Sequence, residues 1–541
     1  MTNLVTNVAA AVEEHGSNTA IGFQGDDTSY EEFWAQTGAF ATALESHGVG
    51  EGDRVALYLP NVPPFLIGFH GTLRAGGVVV PMNPQYKARE ISHLLSDSEA
   101  KVVVTLADLV PFVTEVQDET SVEHVVSVGG EAEGATEFTV FLERGAPDIV
   151  DRGDDDVAVQ PYTSGTTGQP KGVQLTHGNL ASNAKAAAKL VPDGIRPDDK
   201  QLGVLPLFHI YGMTVTMNAA LFNGASYYPM PEWDAQDAVS LVADAGITIF
   251  HGVPAMYNDV INQPNAEEFD FSSVRLCGVG GSGIPTEVLR RFEELYEPNV
   301  YEGYGLTETA PITHFNSPIE GRRVGSIGKT VPGVDSKVVD RDFAEVSPVE
   351  EGPVDEEEVD LTEITGEIVV AGPNVMKGYY GLPEANEEAF TEADGRTWFH
   401  TGDIGYQDED GFFYVVDREK HMIVTGGYNV YPREVEELLF EHEDVADAAV
   451  AGIPDDRRGE TVKAYIVPTP DAEATPEDLK EYCLTNLAEY KHPREVEFVE
   501  ELPRTTTGKV QKFKLREREE DAEAADGDAD DDADAETEAE E

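Results

Sequence analysis

Cysteine is scarce in this chain. Only Cys277 and Cys483 occur in 541 residues, far apart and with no CxxC or Cys/His spacing. That excludes a disulfide framework and a cysteine-ligated zinc site, and it fits a reducing compartment. Basic residues are scarce as well: 37 Lys and Arg stand against 103 Asp and Glu, a formal net charge of −66. No basic stripe or arm exists, so no nucleic-acid partner is expected. Long apolar runs are missing. No stretch approaches the roughly 18 uninterrupted apolar residues of a membrane span; even residues 55–82 are broken by prolines, His70 and Arg74. No integral membrane segment is therefore expected. Residues 1–16 lack a basic region followed by an apolar core, so no secretory leader is expected and the expected location is cytoplasmic.

What is present is a globular composition, 40% hydrophobic, on a chain long enough for two or more domains. The acidic excess runs through nearly every segment and is a property of the whole surface. It fits a cytosolic protein of a high-salt organism better than a binder of one cationic partner. Such a field repels ATP and carboxylates in dilute buffer. At about 1 M salt the Debye length falls to about 3 Å, and local lysines and backbone donors then govern an anionic site.

Short apolar runs at residues 53–59, 75–81, 101–106 and 124–128 alternate with helical patterns such as 63–74, which predicts βαβ units and a parallel sheet. The pattern resumes with strands expected at 201–207, 225–229, 247–253, 273–280 and 299–303, and a helix at 213–222. From about Gly325 the chain becomes turn-rich, with β-like runs at 366–371 and 412–416 and an acidic stretch, 340–363, expected to be a solvated loop. A smaller α+β pattern follows to residue 516. The last stretch, 517–541, is nearly all Asp, Glu and Ala and cannot bury enough apolar surface to fold.

Residues 162–172, YTSGTTGQPKG, pack three glycines, several hydroxyls and one lysine into eleven positions. Glycine lets backbone N–H groups approach an anion, hydroxyls add donors and lysine adds mobile charge, a combination suited to polyphosphate. It is not a Walker A loop, because Pro170 stands where that motif needs its second glycine. Five further segments follow in order: YGLTE (304–308), HTGD (400–403), VDREK (416–420), GGYNVYPREVE (426–436) and RTTTGK (504–509).

With these six segments the chain resembles, over roughly residues 2–516, the adenylate-forming superfamily of acyl- and aryl-CoA synthetases, luciferases and peptide-synthetase adenylation domains. The resemblance implies an α/β fold: a large N-terminal domain of doubly wound sheets plus a β-rich subdomain (1–416), a hinge (417–420) and a small mobile α+β C-terminal domain (421–516), before the tail. It implies a carboxylate attacking the α-phosphate of ATP, then a thiol displacing AMP.

By the same resemblance, Thr163, Ser164, Gly165, Thr166, Thr167 and Gly168 hold the β- and γ-phosphates with help from Lys171, whose alternative is a solvated loop lysine. Thr307 contacts the α-phosphate and Glu308 holds Mg²⁺, its alternative being a helix cap. Tyr304 stacks on adenine opposite Gly281, Ser282 and Gly283; a buried core tyrosine is the other reading. Asp403 accepts from the ribose hydroxyls, with a turn aspartate as the alternative, and Arg418 contacts ribose or phosphate. Lys420 lies at the hinge, Gly426 and Gly427 admit a pantetheine arm, and Lys509 stabilises charge during adenylation. His209 borders the acyl site or is a satisfied core histidine. The implied function is an AMP-forming acid–CoA ligase using ATP, Mg²⁺ and coenzyme A on a medium- or long-chain fatty acid. An aryl acid of cinnamate or benzoate type, or loading of a carrier protein, are the alternatives.

Overall fold

The computed structural model describes residues 3–163, 170–354, 359, 361–418, 421–425, 428–455, 457–470, 472–487, 489–504, 510–516 and 518–519. Among them the strands form four sheets. In the first, Arg54–Tyr58 is flanked by Val78–Met82 on one side and Val102–Leu106 on the other, all parallel. Helices Pro63–Arg74 and Ala88–Ser98 make the crossovers. The chain thus reverses its direction of winding at Arg54–Tyr58, which opens a crevice at the carboxyl ends of the strands. The second sheet repeats the device. Lys200–Gly203 lies between Ser226–Pro229 and Ile249–Gly252, and Leu276–Val279 and Val300–Gly305 extend it in parallel.

Two helices pack between these sheets. Tyr30–Ser46 begins with a capping box, in which the Ser29 hydroxyl accepts from Glu32 N–H and the Glu32 carboxylate accepts from Ser29 N–H. Pro63 and Pro64 open the second helix, where a missing N–H costs nothing. Phe33, Phe40, Phe65 and Phe69 are fully buried in one cluster with Leu57 and Val79 of the first sheet and Ile21 and Tyr227 of the second. Each such phenylalanine contributes about 2–3 kcal/mol, enough to fix both sheets to the shared helices.

The third sheet is antiparallel, with Gly366–Ala371 and Phe413–Arg418 on the two sides of the long strand Arg396–Gln407. The fourth belongs to the C-terminal α+β unit: Val445–Asp455 and Gly459–Pro468 form its central hairpin, and Glu495–Phe498 runs parallel to the latter. Helices Pro432–Phe440 and Pro476–Asn486 cover it through Val435, Leu439, Leu479 and Cys483. Both cysteines are buried and free. No helix among the described residues is long and apolar enough to cross a membrane.

Three departures from the sequence pattern have local causes. The strand expected to run to 207 ends at Gly203, because the Asn61 amide takes over from the ladder: it donates to Gly203 and Leu205 carbonyls and accepts from Leu207 N–H. The helix expected over 213–222 is a π-helix at Tyr211–Asn218 before a single α-turn, Ala219–Phe222. Gly212 lies so close to the preceding turn that a Cβ there would sit 2.4 Å from the Pro206 carbonyl oxygen. Within that wide turn the Thr216 hydroxyl donates to the Gly212 carbonyl at 2.5 Å. The described part of the acidic stretch is not simply solvated. Val346 and Val349 donate to the Val338 and Gln407 carbonyls, Val354 N–H donates to the Tyr406 hydroxyl, and Leu361 is buried.

Candidate active site

The carboxyl ends of Ile249–Gly252, Leu276–Val279 and Val300–Gly305 open into a cleft of about 940 Å³. Its far wall comes from the third sheet and from Arg504, Gln511 and Lys514 of the C-terminal unit. Thr163, Lys171, His209, Gly281, Tyr304, Thr307, Glu308 and Arg418 all line it. Thr163 and Lys171 face each other as partners in a short antiparallel pair, Tyr162–Thr163 with the start of Lys171–Thr176. The connection between them carries Ser164, Gly165, Thr166, Thr167 and Gly168, which lie outside the described residues, as do Lys420, Gly426, Gly427 and Lys509.

Glu308 sits in the one-turn 3-10 helix Thr307–Thr309, directly after Val300–Gly305. That turn is held from several sides. A Cβ at Gly305 would sit 2.0 Å from the Pro311 carbonyl oxygen, so only glycine allows the approach. Met376 N–H donates to the Glu308 carbonyl, and Asn374 donates to that of Thr309. The Glu308 carboxylate accepts from the Tyr379 hydroxyl at 2.9 Å, while the Lys171 ammonium lies 5.0 Å above the same ring. Burial and the Glu308 charge both raise the Tyr379 hydroxyl above its ordinary range, so it stays a donor. One side chain thereby links Lys171 to the acid.

On the opposite side, Asp403 is buried at 2% exposure. It accepts from the Tyr304 hydroxyl and from Arg418 Nε, the latter at 2.9 Å. The Asp403 charge raises the Arg418 guanidinium further, and burial followed by Asp403 raises the Tyr304 hydroxyl. Tyr304 lines the cleft and its hydroxyl donates to Asp403. Ser282 and Gly283 do not line the cleft. Gly283 instead meets the Arg433 guanidinium, where an added Cβ would lie 2.7 Å from Nη2, so of the expected glycine wall only Gly281 is in place. His209 lines the cleft and its Nδ1 accepts from Tyr211 N–H. Deeper in, the Tyr211 hydroxyl meets His251 Nδ1 at 3.0 Å. Burial lowers His251 to about 4, so its ring is neutral near pH 7.

Residues 8–380 match the model of the AMP-binding enzyme family, and residues 434–509 match the AMP-binding enzyme C-terminal domain. The chain belongs to the AMP-binding enzyme family. This AMP-binding enzyme is 36% identical to a long-chain-fatty-acid–CoA ligase of Bacillus subtilis, over 95% of this chain and 94% of the relative. It is 35% identical to a feruloyl-CoA synthase of an Amycolatopsis species, over 92% and 95%. Its fold superposes on the crystal structure of ATP-bound MatB from Rhodopseudomonas palustris with a TM-score of 0.85 at 31% identity, covering 95% and 98% of the two chains.

Several residues of the AMP-binding enzyme's cleft escape sequence reasoning. Tyr379 and Glu367 lie in strands that read as ordinary framework, and His251 lies next to the end of a strand that reads as core. Arg504 and His400 fall inside segments that the sequence does single out, but beside the residues given roles there. Among the described residues no cluster of three or more His, Cys, Asp or Glu forms a metal cage. A lone carboxylate beside a hydroxyl still suits Mg²⁺, which keeps several waters and takes its other oxygens from substrate phosphates.

Proposed function

We propose that this AMP-binding enzyme is an AMP-forming acid–CoA ligase acting on a medium- or long-chain fatty acid. ATP and coenzyme A are its co-substrates. The observation that carries the reading is the meeting, in one cleft, of the Thr163–Lys171 pair, the Thr307–Glu308 turn and Tyr304 with Arg418, both of which hold the Asp403 carboxylate just behind the wall. Those are the parts needed at the polyphosphate, the α-phosphate and the nucleoside.

In the first step an oxygen of the acid attacks the α-phosphorus of ATP, and the bond to the bridging oxygen breaks to release pyrophosphate. Two anions approach, so positioning and charge neutralisation supply most of the acceleration. Lys171 and Arg418 bring positive charge to the two ends. Thr307 donates its hydroxyl at the phosphate, and Asp403, an acceptor-only group, takes the ribose diol. Glu308 would hold Mg²⁺, which when bound neutralises phosphate charge. In the second step the thiol sulfur of coenzyme A attacks the acyl carbon and AMP leaves with the bonding electrons. Lys509 and the Gly426–Gly427 pair are assigned to the two steps by resemblance.

The fatty-acid assignment is supported by the Bacillus relative's name and by the apolar deep wall formed by Phe208, Val215, Ile312 and Phe315. An aryl acid of cinnamate or benzoate type is the second reading, favoured by the feruloyl-CoA synthase relative. The deciding experiment measures AMP release across a panel of acids graded in chain length and aromaticity, with and without coenzyme A. Acid-dependent pyrophosphate release, and thioester only with coenzyme A, is expected. Pyrophosphate release indifferent to every acid would sink the ligase reading, and a preference for cinnamates would replace the fatty acid.

A further inference from the structure

The segment that delivers Asp403 is an interrupted β-ladder, and one side chain repairs the interruption. Along Gly366–Ala371 and Arg396–Gln407, Glu367 pairs with Ile404, but Val369 pairs with His400. A single residue, Ile368, therefore faces Thr401, Gly402 and Asp403. The excess is pushed out as a bulge, with Gly402 in the left-handed region at φ 69°. A bulge leaves backbone groups without ladder partners. The Thr401 hydroxyl satisfies the Ile368 carbonyl at 2.6 Å. The Gly402 N–H is satisfied by a side chain: it donates to Glu367 Oε1 at 2.9 Å. The other oxygen of the same carboxylate, Oε2, lies 2.7 Å from His400 Nδ1. A carboxylate only accepts, so Nδ1 carries the proton and Nε2 meets the Thr391 hydroxyl at 2.8 Å. Glu367, His400, Thr401 and Gly402 all reach the cleft wall, whereas Asp403 emerges behind them from the bulge.

The geometry points to Glu367, with His400, as the positioning residue that sets the bulge and thereby aims the Asp403 carboxylate at the nucleotide. The inference rests on the proposed reading of Asp403 as the ribose acceptor. Glu367→Gln keeps the shape but only one accepting oxygen. Its amide N–H can then face Nδ1 only if His400 moves its proton to Nε2, and both contacts lose the carboxylate's charge, so the bulge loosens and shifts. A shift of a fraction of an ångström leaves the fold intact and mis-aims one hydrogen-bonding group, which shows in the ligand part that group touches.

The test is equilibrium binding of AMP and of 2′,3′-dideoxy-AMP by calorimetry, which needs no turnover. The wild type is expected to prefer AMP. Glu367→Gln is expected to weaken AMP about tenfold and leave dideoxy-AMP unchanged, erasing the preference. His400→Leu should do the same, and His400→Asn, whose amide nitrogen falls near the Nδ1 position, should restore most of it. The histidine pair keeps the test open if the glutamine variant does not fold. Equal weakening of both nucleotides, or an unchanged preference, overturns the positioning role. Asp403→Asn in the same assay separates the two readings. If it leaves the preference intact, the ribose reading falls and this inference falls with it. If it abolishes the preference while the Glu367 and His400 variants do not, only the positioning role is lost.

Discussion

Glu308 brings a carboxylate to the cleft wall, and its neighbours show how it is held there. The Tyr379 hydroxyl donates to it, and Arg418 is close enough for its guanidinium to be raised by it. Glu308→Gln keeps an oxygen for Tyr379 and loses the charge a hard cation needs. Acid-dependent pyrophosphate release is expected to fall about 10²–10³-fold, with thermal stability little changed. Pyrophosphate assays and calorimetric melting on the same preparation check both halves. Tyr379, Asp403 and Tyr304 illustrate why residue roles are only partly legible. Their types are visible in sequence, but the pairing of Tyr304 with Asp403, ninety-nine positions apart, is made by two different sheets.

Among the elements, the π-helix Tyr211–Asn218 depends on a glycine in its first turn. Gly212 is needed because the chain turns back onto the Pro206 and Leu205 carbonyls, at 2.4 and 2.7 Å from where a Cβ would stand. Gly212→Ala forces those carbonyls apart and shifts Tyr211, which lines the deep cleft. A loss of about 1–3 kcal/mol is expected from urea unfolding, together with a larger KM for the acid than for ATP. Periodicity predicts a helix at this place and is right about direction. It carries no information on hydrogen-bond register, because apolar spacing over about two turns does not separate 3.6 from wider winding.

At the scale of the whole molecule, charge and buried histidines set the response to solvent. Burial holds His70, His177 and His251 down to about 4 and His314 to about 3, against an ordinary value near 6.5. Groups lowered in the folded state contribute stability that is full above about pH 6.5 and is lost as pH falls toward 4. Glu302 has the opposite sign. Burial raises it to about 7, so its contribution is present below about 4.5 and lost as pH rises to 7. Near pH 5.5 these five groups together take up about three protons on unfolding, four to the histidines less one from Glu302. The slope of unfolding free energy against pH measures that number. Stability unaffected between pH 7 and 5 would contradict it. The net charge of −66 predicts a second response. Raising KCl toward 1 M shortens the Debye length to about 3 Å and relieves self-repulsion, so melting temperature and activity should both rise. A maximum in dilute buffer would contradict the high-salt reading.

The sequence by itself determined the family, the order of its motifs and the βαβ alternation, because each depends on residue types at short spacing. Apolar runs of five set the strands. Tertiary structure alone decided which of those residues meet. Gly283 faces Arg433 rather than the cleft, Tyr379 joins Lys171 to Glu308, and Glu367 supports the turn that carries Asp403. The physical reason is that such contacts are fixed by strand register and bulges between distant segments. A shift of one residue there exchanges the faces of a whole strand while leaving every local pattern unchanged.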